Sequence, residues 1–188
     1  DPIRSQYKEA FLVVRCMYRG TIYSRCVYIW VDKDFAMVRG HFQGYPKKMG
    51  ELYVTRPVNV GKAGPRLAPG GRFGATCAAG GRRLINARFE ITGPSESNGF
   101  VNALPMLHHR VMPAIEADGT DSLYEVVTMR GYDAEVGPVF GGTASIELFD
   151  SPTEELTRLA PIEMIGGFWR EVGTSWRQGT TLARHTLA

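Results

Sequence analysis

Apolar and polar residues alternate with a period of two along most of the chain, which is typical of β-strands. Residues 21–31, TIYSRCVYIWV, predict a strand with two largely apolar faces, one carrying Ile22, Cys26, Tyr28 and Trp30 and the other Tyr23, Val27, Ile29 and Val31. A strand that is apolar on both faces is expected to be covered on both.

Two further segments alternate more sharply. In residues 83–92, RLINARFEIT, and in residues 142–149, GTASIELF, every second residue is apolar and the residues between are mostly polar or charged. Each predicts a strand with one buried face. EAFLVVRCMY, AMVRG, ELYVTRP, LYEVVTMRGY and PIEMIGGFW are also strand-like, and Gly- and Pro-rich turns separate the segments.

One segment carries a helix signal. In residues 150–161, DSPTEELTRLAP, Ser151 is placed as an N-cap, Pro152 as the first helical residue and Glu154 as the partner in a capping box. Pro161 would end this helix.

Many short strands, one or two short helices and no alternation of strand with helix predict an α+β, mostly β protein. We expect a curved antiparallel sheet that closes into a barrel or cone, and a single domain over residues 1–188. The chain begins without Met in strand-like sequence, so we expect an N-terminal segment to be missing.

Composition and charge exclude several classes of function. The chain is 44% hydrophobic and has a net charge of +3, too small and scattered for a nucleic-acid or membrane partner. No apolar run reaches the length of a membrane span. Cys16, Cys26 and Cys77 fit no disulfide framework or zinc pattern, which indicates a reducing cytoplasm. The four histidines lack the spacing of a metal site, so no metal is expected.

Residues 41–50, HFQGYPKKMG, place two lysines beside each other after Gly44, Tyr45 and Pro46. Most lysine pairs lie in solvent. Here strand-like sequence precedes and follows the pair, and Gly44 and Pro46 indicate an irregular backbone between. The pair is therefore expected at a bend within the sheet.

DKDFAMVRGHFQGYPKKMGEL, residues 32–52, resembles the signature of the acetoacetate decarboxylase-like superfamily. The resemblance continues in YKEAFLVV at residues 7–14, in YIWVDKD at residues 28–34 and in FGGTASIELFDSPTEELTRLAPIEMIGGFW at residues 140–169. It implies the barrel- or cone-like fold of that superfamily over nearly the whole chain.

The resemblance also implies a Schiff-base enzyme that uses no cofactor. The first lysine of the pair, Lys47, would attack a substrate ketone, and the resulting protonated imine would stabilise a carbanion at the adjacent carbon. Attack needs a neutral amine, whereas the ordinary pKa of lysine is about 10.4. Burial and a nearby cation both favour the neutral form. Adjacent strand residues point to opposite faces, so we expect burial to dominate and Lys48 to be chiefly structural.

Other site residues follow from the same resemblance. Glu9 matches the first carboxylate of the superfamily, for proton transfer or for orienting a substrate hydroxyl. The second glutamate of the true decarboxylases has no acidic counterpart in residues 16–26. Their N-terminal arginine is also absent, and His41 stands where they have a glutamate before the lysines. Together these departures favour the aldolase-dehydratase branch over the decarboxylases.

Substrate binding is predicted for four residues near the lysines: Gln43, Arg39, Tyr45 and His41. Gln43, four residues before Lys47, matches a substrate-holding glutamine of that branch. Arg39 is suited to bind a carboxylate through its planar fork or, alternatively, to form a structural ion pair. The branch tends to have a tyrosine after the C-terminal Gly-Gly, where this chain has Phe168 and Trp169. Tyr45 is a candidate to supply the hydroxyl instead, as is Tyr18.

The adjacent His108 and His109 have two interpretations: an acid–base pair, or one packed ring and one exposed ring. For the whole protein, the first hypothesis is a lyase that condenses a keto acid such as pyruvate with an aldehyde and removes water. The second is decarboxylation of acetoacetate or another 3-keto acid, and the third is a β-barrel module that binds a small carbonyl compound. Members of the superfamily are commonly oligomers, and we expect a homo-oligomer.

Overall fold

The structure, a computed structural model, describes residues 6–99, 103–116 and 122–185. It is mostly β, as the alternating pattern predicts, with one α-helix, α1, at Asp34–Phe42. The strands, in chain order, are β1 (Glu9–Tyr18), β2 (Thr21–Val31), β3 (Lys47–Met49), β4 (Glu51–Val54), β5 (Arg72–Ala79), β6 (Arg82–Pro94), β7 (Met106–Met112), β8 (Leu123–Met129), β9 (Gly131–Leu148), β10 (Gly167–Trp176) and β11 (Thr180–His185).

The chain forms two compact units, which are described in turn. The first contains residues 6–49, 103–116, 122–134 and 174–185 of the described chain. Its six-stranded sheet has the order β1-β2-β7-β8-β11, with β3 also paired to β2. The pairs β1–β2, β7–β8 and β8–β11 are antiparallel, whereas β2 pairs in parallel with β3 and β7. The sheet is therefore mixed rather than purely antiparallel.

The second unit contains residues 50–99 and 135–173 of the described chain. Its five-stranded sheet has the order β10-β9-β6-β5-β4. The strand predicted over residues 83–92 lies within β6, and the one over 142–149 ends β9, where Ala144, Ile146 and Leu148 are half-buried and the residues between are exposed. The one-sided burial predicted for residues 142–149 is confirmed. In residues 83–92 the neighbours Leu84 and Ile85 are both buried, so this strand is not one-sided along its whole length.

A β-bulge interrupts β2 and changes its faces. The register against β1 shifts so that Leu12 pairs with Tyr28 but Val13 pairs with Cys26, which leaves Val27 as the extra residue. A bulge of this kind moves the following side chains to the other face of the sheet. Uniform alternation cannot anticipate this shift.

The bulge places Cys26 on the face predicted for Ile29 and Val31. These three residues are at most 3% exposed and form one apolar cluster with Ala36 and Met106. The assignment of Cys26 to the face of Tyr28 and Trp30 was therefore wrong. Burial of both faces at the end of β2 is confirmed by Trp30, which is fully buried.

Residues 36–40, AMVRG, form the centre of α1 rather than the strand predicted from their apolar run. Ala36 and Gly40 are buried, and their spacing of four residues puts both on one face of the helix. The run is too short to separate strand from helix by its periodicity.

The capping-box prediction is also wrong. Within residues 150–161 only Leu156–Leu159 is helical, as a single 3₁₀ turn. The Ser151 hydroxyl accepts a hydrogen bond from the backbone N–H of Thr153, two residues later. Serine side chains form such local turns in competition with helix capping.

Among the described residues no helix is long and apolar enough to cross a membrane. Within the same ranges, no three His, Cys, Asp or Glu side chains are grouped as metal ligands would be. All three cysteines are free: Cys26 and Cys77 are buried and Cys16 is half-buried.

Candidate active site

A tight helix ending carries the chain from α1 to the lysine pair. The backbone N–H of Gly44 donates a hydrogen bond to the carbonyl oxygen of His41, and the N–H of Tyr45 donates to the carbonyl oxygen of Gly40. This pair of hydrogen bonds is the Schellman motif of a helix C-terminus. Gly44 has a φ of +84°, in the left-handed region that glycine adopts readily. The bend predicted before the lysines is present, as a helix end, and Lys47 is the first residue of β3.

The side chain of Lys47 runs directly over the backbone of Gly40. A Cβ atom at residue 40 would lie 2.3 Å from Lys47 Cδ and 2.8 Å from its Cε. Real Cβ atoms do not approach other atoms so closely, and no larger residue fits at position 40 while Lys47 keeps this course. Gly40 thus packs directly against the aliphatic part of the Lys47 side chain.

The Lys47 amine lies among a carboxylate and two phenol rings. Its Nζ atom is 3.2 Å from Glu9 Oε2, and the two form an ion pair. The ring centroids of Tyr7 and Tyr45 lie 5.3 and 5.9 Å from Nζ. The Lys47 side chain is 10% exposed and that of Glu9 is 31% exposed. The amine is therefore nearly enclosed, and the Glu9 carboxylate is the more exposed group of the pair.

Two groups near the amine, the Cys26 thiol and the Tyr45 phenol, are held in their neutral forms. Burial, with a smaller contribution from the Glu9 charge, raises the pKa of the Cys26 thiol to about 12. Burial also raises the pKa of the Tyr45 phenol, with smaller contributions from Cys26, Glu9 and Tyr7. Tyr45 consequently remains a proton donor at neutral pH. Tyr7 was missed in the sequence analysis, because nothing in its spacing connects it to residue 47.

Lys48 points away from Lys47. In the parallel pairing of β3 with β2, Lys47 is opposite Ile29 and Lys48 is opposite Trp30. The Lys48 amine lies 5.8 Å from the ring centroid of Tyr28. Because neighbouring strand residues face opposite sides, the two ammonium groups are on different faces of the sheet. The expected separation of the pair is present.

His41 and Arg39 lie on α1 beside the lysine. The Nε2–H of His41 donates a hydrogen bond of 2.7 Å to the backbone carbonyl of Lys47, so this ring contacts the main chain of the lysine rather than its amine. Arg39 is exposed, and its charge lowers the pKa of the Tyr7 phenol, although burial and Glu9 outweigh it. Arg39 is thus within electrostatic range of the ring that contacts the Lys47 amine.

His108 and His109 divide into one packed ring and one exposed ring, as the second interpretation held. His108 is 2% exposed, and its ring centroid lies 4.1 Å from that of Tyr45. His109 is exposed, and its Nδ1 accepts a hydrogen bond of 2.8 Å from Arg25. Of the two histidines, His108 is the one whose ring packs against Tyr45.

Gln43 lines a groove of about 680 Å³ that also borders Arg110, Glu125 and Trp176. Lys47 is not among the residues that line it. The structure brings Glu9, Tyr45 and Lys47 together, whereas Gln43 lines a groove that Lys47 does not line.

The buried carboxylate of Glu125 joins this turn to the sheet. Glu125 is 3% exposed and accepts hydrogen bonds of 2.8 Å from Arg110 and from Arg184. Arg110 also donates to the backbone carbonyl of Phe42, the last residue of α1. Hydrogen bonding from Arg110 lowers the pKa of Glu125, and Arg184 lowers it further, against the opposing effect of burial.

We expect Glu125→Gln to lower the free energy of unfolding by about 3 kcal/mol, because two arginines lose their buried charge partner. Since folding lowers the pKa of Glu125, the wild-type contribution is present above the ordinary glutamate pKa of about 4.3 and is lost as the pH falls below it. Urea unfolding at pH 7 and at pH 3.5 measures both effects, and the difference between the two proteins should shrink at the lower pH.

Glu90→Gln is the matched control. Glu90 forms an ion pair of 2.9 Å with Arg72, but both side chains are well exposed. Such a pair contributes at most about 1 kcal/mol. Equal losses in the two variants would contradict the role given to Glu125.

The sequence matches the family described as acetoacetate decarboxylase (ADC) over residues 2–186. A search of curated proteins gave no match. Among solved structures, the chain is similar to the enduracididine biosynthesis enzyme MppR, in a complex with pyruvate, at 33% identity and a TM-score of 0.88. The match covers 97% of this chain and 69% of MppR. A second MppR structure, with the condensation product of pyruvate and imidazole 4-carboxaldehyde, matches equally well, with a TM-score of 0.88.

The chain is also similar to an acetoacetate decarboxylase-like enzyme from Sphingomonas wittichii RW1, at 28% identity and a TM-score of 0.86, over 95% of this chain and 70% of that one. Acetoacetate decarboxylase from Legionella pneumophila shares the fold at 16% identity and a TM-score of 0.77, over 95% and 68% of the two chains. The resemblance to MppR is thus stronger than that to this decarboxylase. The chain belongs to the acetoacetate decarboxylase family and is an enzyme with lyase-type chemistry.

Proposed function

We propose that the protein forms an imine between Lys47 and a small keto acid such as pyruvate, and that it condenses this imine with an aldehyde and removes water. No cofactor is required, because the protonated imine itself accepts the electron pair of the adjacent carbon. The proposal depends chiefly on one observation: a nearly enclosed lysine amine in contact with a carboxylate and two phenol rings.

Glu9 is the proposed proton acceptor. A lysine must lose a proton before it attacks a carbonyl, and the Glu9 carboxylate, 3.2 Å from Nζ, is within hydrogen-bond reach. After the imine forms, loss of a methyl proton from bound pyruvate gives the enamine. Glu9 first gives the lysine proton to the departing hydroxyl of the carbinolamine, which leaves as water. The regenerated carboxylate, 3.2 Å from the former Nζ, then takes the methyl proton.

The remaining candidates have different proposed roles. The Tyr45 hydroxyl, held neutral by burial, supplies a proton to an oxygen of the substrate. Arg39, whose charge acts at Tyr7, attracts the keto-acid carboxylate. His41 holds the main chain of Lys47 through its carbonyl, and Lys48 stays on the opposite face. Gln43 contacts a substrate only where that substrate extends into the groove beside it.

The relatives support the choice of reaction. MppR binds pyruvate in one structure and a pyruvate–aldehyde condensation product in another, and this chain is 33% identical to it. Residues 16–26 contain no acidic residue in the place of the second glutamate of the decarboxylases. Both points favour condensation over decarboxylation.

Reductive trapping tests the proposal. Incubation with pyruvate and sodium borohydride is expected to attach the reduced keto acid to Lys47, and peptide mass spectrometry would locate the adduct. Pyruvate together with imidazole 4-carboxaldehyde should then give a conjugated product, followed by its ultraviolet absorbance.

Two other outcomes identify the alternatives. Release of carbon dioxide from acetoacetate, without condensation, would assign the protein to decarboxylation. A protein that binds pyruvate in calorimetry but yields no adduct between pH 5 and pH 9 would be a binding module, and the imine mechanism would be wrong.

A further inference from the structure

We propose that His108 is a positioning residue, whose ring holds Tyr45 beside Lys47 for the proton transfer that removes water from the bound condensation product. This inference rests on the proposed function. It adds a residue from β7 that the resemblance to the superfamily does not supply.

His108 and Lys47 project from the same face of the six-stranded sheet. Ser24 pairs with Met106, so residues 24, 106 and 108 share a face. The bulge in β2 keeps Cys26 and Ile29 on that face, and Ile29 pairs with Lys47. His108 is therefore directed to the same side of the sheet as the reactive amine.

Tyr45 lies between His108 and the amine. Its ring centroid is 4.1 Å from that of His108 and 5.9 Å from Lys47 Nζ. The turn that carries Tyr45 is pressed against β7, since a Cβ at Gly44 would lie 3.1 Å from His108 Cβ and 3.2 Å from the carbonyl oxygen of His109. Contact through the backbone and through the rings leaves Tyr45 little freedom to turn away from Lys47.

The histidine acts through its ring rather than through a hydrogen bond. Its Nε2 atom is buried and has no hydrogen-bond partner within the described part of the chain. Burial, with smaller contributions from the charges of Arg25 and His109, lowers the pKa of His108 to about 4. The ring is therefore neutral at physiological pH and adds no positive charge beside the Lys47 amine. An imidazole provides a flat aromatic surface smaller than a phenyl ring, which suits the close approach of Gly44.

Correct placement of Tyr45 matters most in the dehydration step. Glu9 takes one of the two remaining protons from the carbon next to the imine, which gives an enamine. The electron pair of this enamine forms the new carbon–carbon double bond as the carbon–oxygen bond breaks. The Tyr45 hydroxyl gives its proton to the departing oxygen, which leaves as water, and protonated Glu9 returns a proton to the Tyr45 phenolate.

Three single variants separate the ring from the nitrogen: His108→Phe keeps an aromatic ring, His108→Asn keeps a polar group without the ring, and Tyr45→Phe removes the hydroxyl. Pyruvate trapping by borohydride reports imine formation, and the rise of the conjugated product reports dehydration. We expect trapping to stay within about twofold of wild type in all three. Dehydration should fall about a hundredfold in Tyr45→Phe, about tenfold or more in His108→Asn, and about threefold or less in His108→Phe.

The double variant His108→Asn/Tyr45→Phe is expected to be no slower than Tyr45→Phe alone, because His108 acts only through the Tyr45 hydroxyl. Multiplied effects in the double variant would overturn the proposal. So would a His108→Phe variant as slow as His108→Asn, which would assign the role to the nitrogen.

Thermal unfolding of each variant controls for folding. If His108→Asn does not fold, His108→Leu replaces it, since leucine fills apolar space without an aromatic face. If pyruvate traps the wild-type protein but the variants depart from this pattern, the role proposed for His108 is wrong and the proposed function still stands. Absence of any adduct on the wild-type protein overturns the proposed function, and this inference with it.

Discussion

Replacement of Lys47 by alanine is expected to abolish the borohydride adduct with pyruvate and to lower the condensation rate by about a thousandfold or more, because the only atom proposed to bond with the substrate is removed. Intact-protein mass spectrometry measures the first effect and product absorbance the second. Folding should persist, since the Lys47 amine contributes one partly exposed ion pair, with Glu9.

Lys48→Ala is the matched control, because Lys48 is adjacent in sequence but lies over Tyr28 on the opposite face. Its trapping should stay within about threefold of wild type, as is usual for a residue that does not contact the reacting atoms. A variant that loses the adduct as completely as Lys47→Ala would show that the amine of Lys48 participates, and the assignment by strand face would be wrong.

Gly40→Ala is expected to have the second largest effect, an inactive protein that remains folded. The added methyl group would occupy the space of Lys47 Cδ, 2.3 Å away, so the lysine stem must move. A shift of about 1 Å in a reacting group can lower a rate about a hundredfold. The helix itself is not harmed, because alanine favours a helix by about 1 kcal/mol over glycine.

Circular dichroism and thermal unfolding should therefore show a Gly40→Ala protein at least as stable as wild type, whereas trapping with pyruvate falls steeply. Gly93→Ala serves for comparison: no atom lies within 4 Å of the methyl group it would add. Unchanged trapping in Gly40→Ala would mean that Lys47 reaches the substrate by another course.

Alternation predicts the strands well, because apolar residues at every second position need a buried face. It fails where one extra residue in a strand moves the following side chains to the other face of the sheet. Val27 is the extra residue of a bulge, and nothing in the sequence of β2 distinguishes it from its neighbours. The face on which Cys26 lies depends on how β1 pairs with β2, which is a property of two strands together.

Helix α1, part of which was predicted to be a strand, does have a helix signal in its sequence. Ala36 and Gly40 are four residues apart, and Gly44 followed by Pro46 is the usual sequence after a helix C-terminus. The stretch was interpreted as a strand because Phe35 to Val38 is a continuous short apolar run, which fits both structures. A glycine followed two residues later by a proline is therefore better evidence for a helix end here than four apolar residues are for a strand.

Residues of the site differ in how far the sequence reveals them. Strand alternation alone separates Lys47 from Lys48. The pairing of Lys47 with Glu9, 38 residues earlier, came from the family resemblance, since no local pattern links them. Tyr7 reaches the site only through packing, which single-sequence patterns do not indicate. The adjacent histidines marked His108 as a candidate, but they did not show that it lies beside Tyr45.

The buried thiol of Cys26 has a consequence for chemical selectivity. With its pKa raised to about 12, this thiol stays protonated at pH 7, and the thiolate is the form that attacks electrophiles. Reactive aldehydes, which add readily to exposed cysteines, should leave this one unmodified.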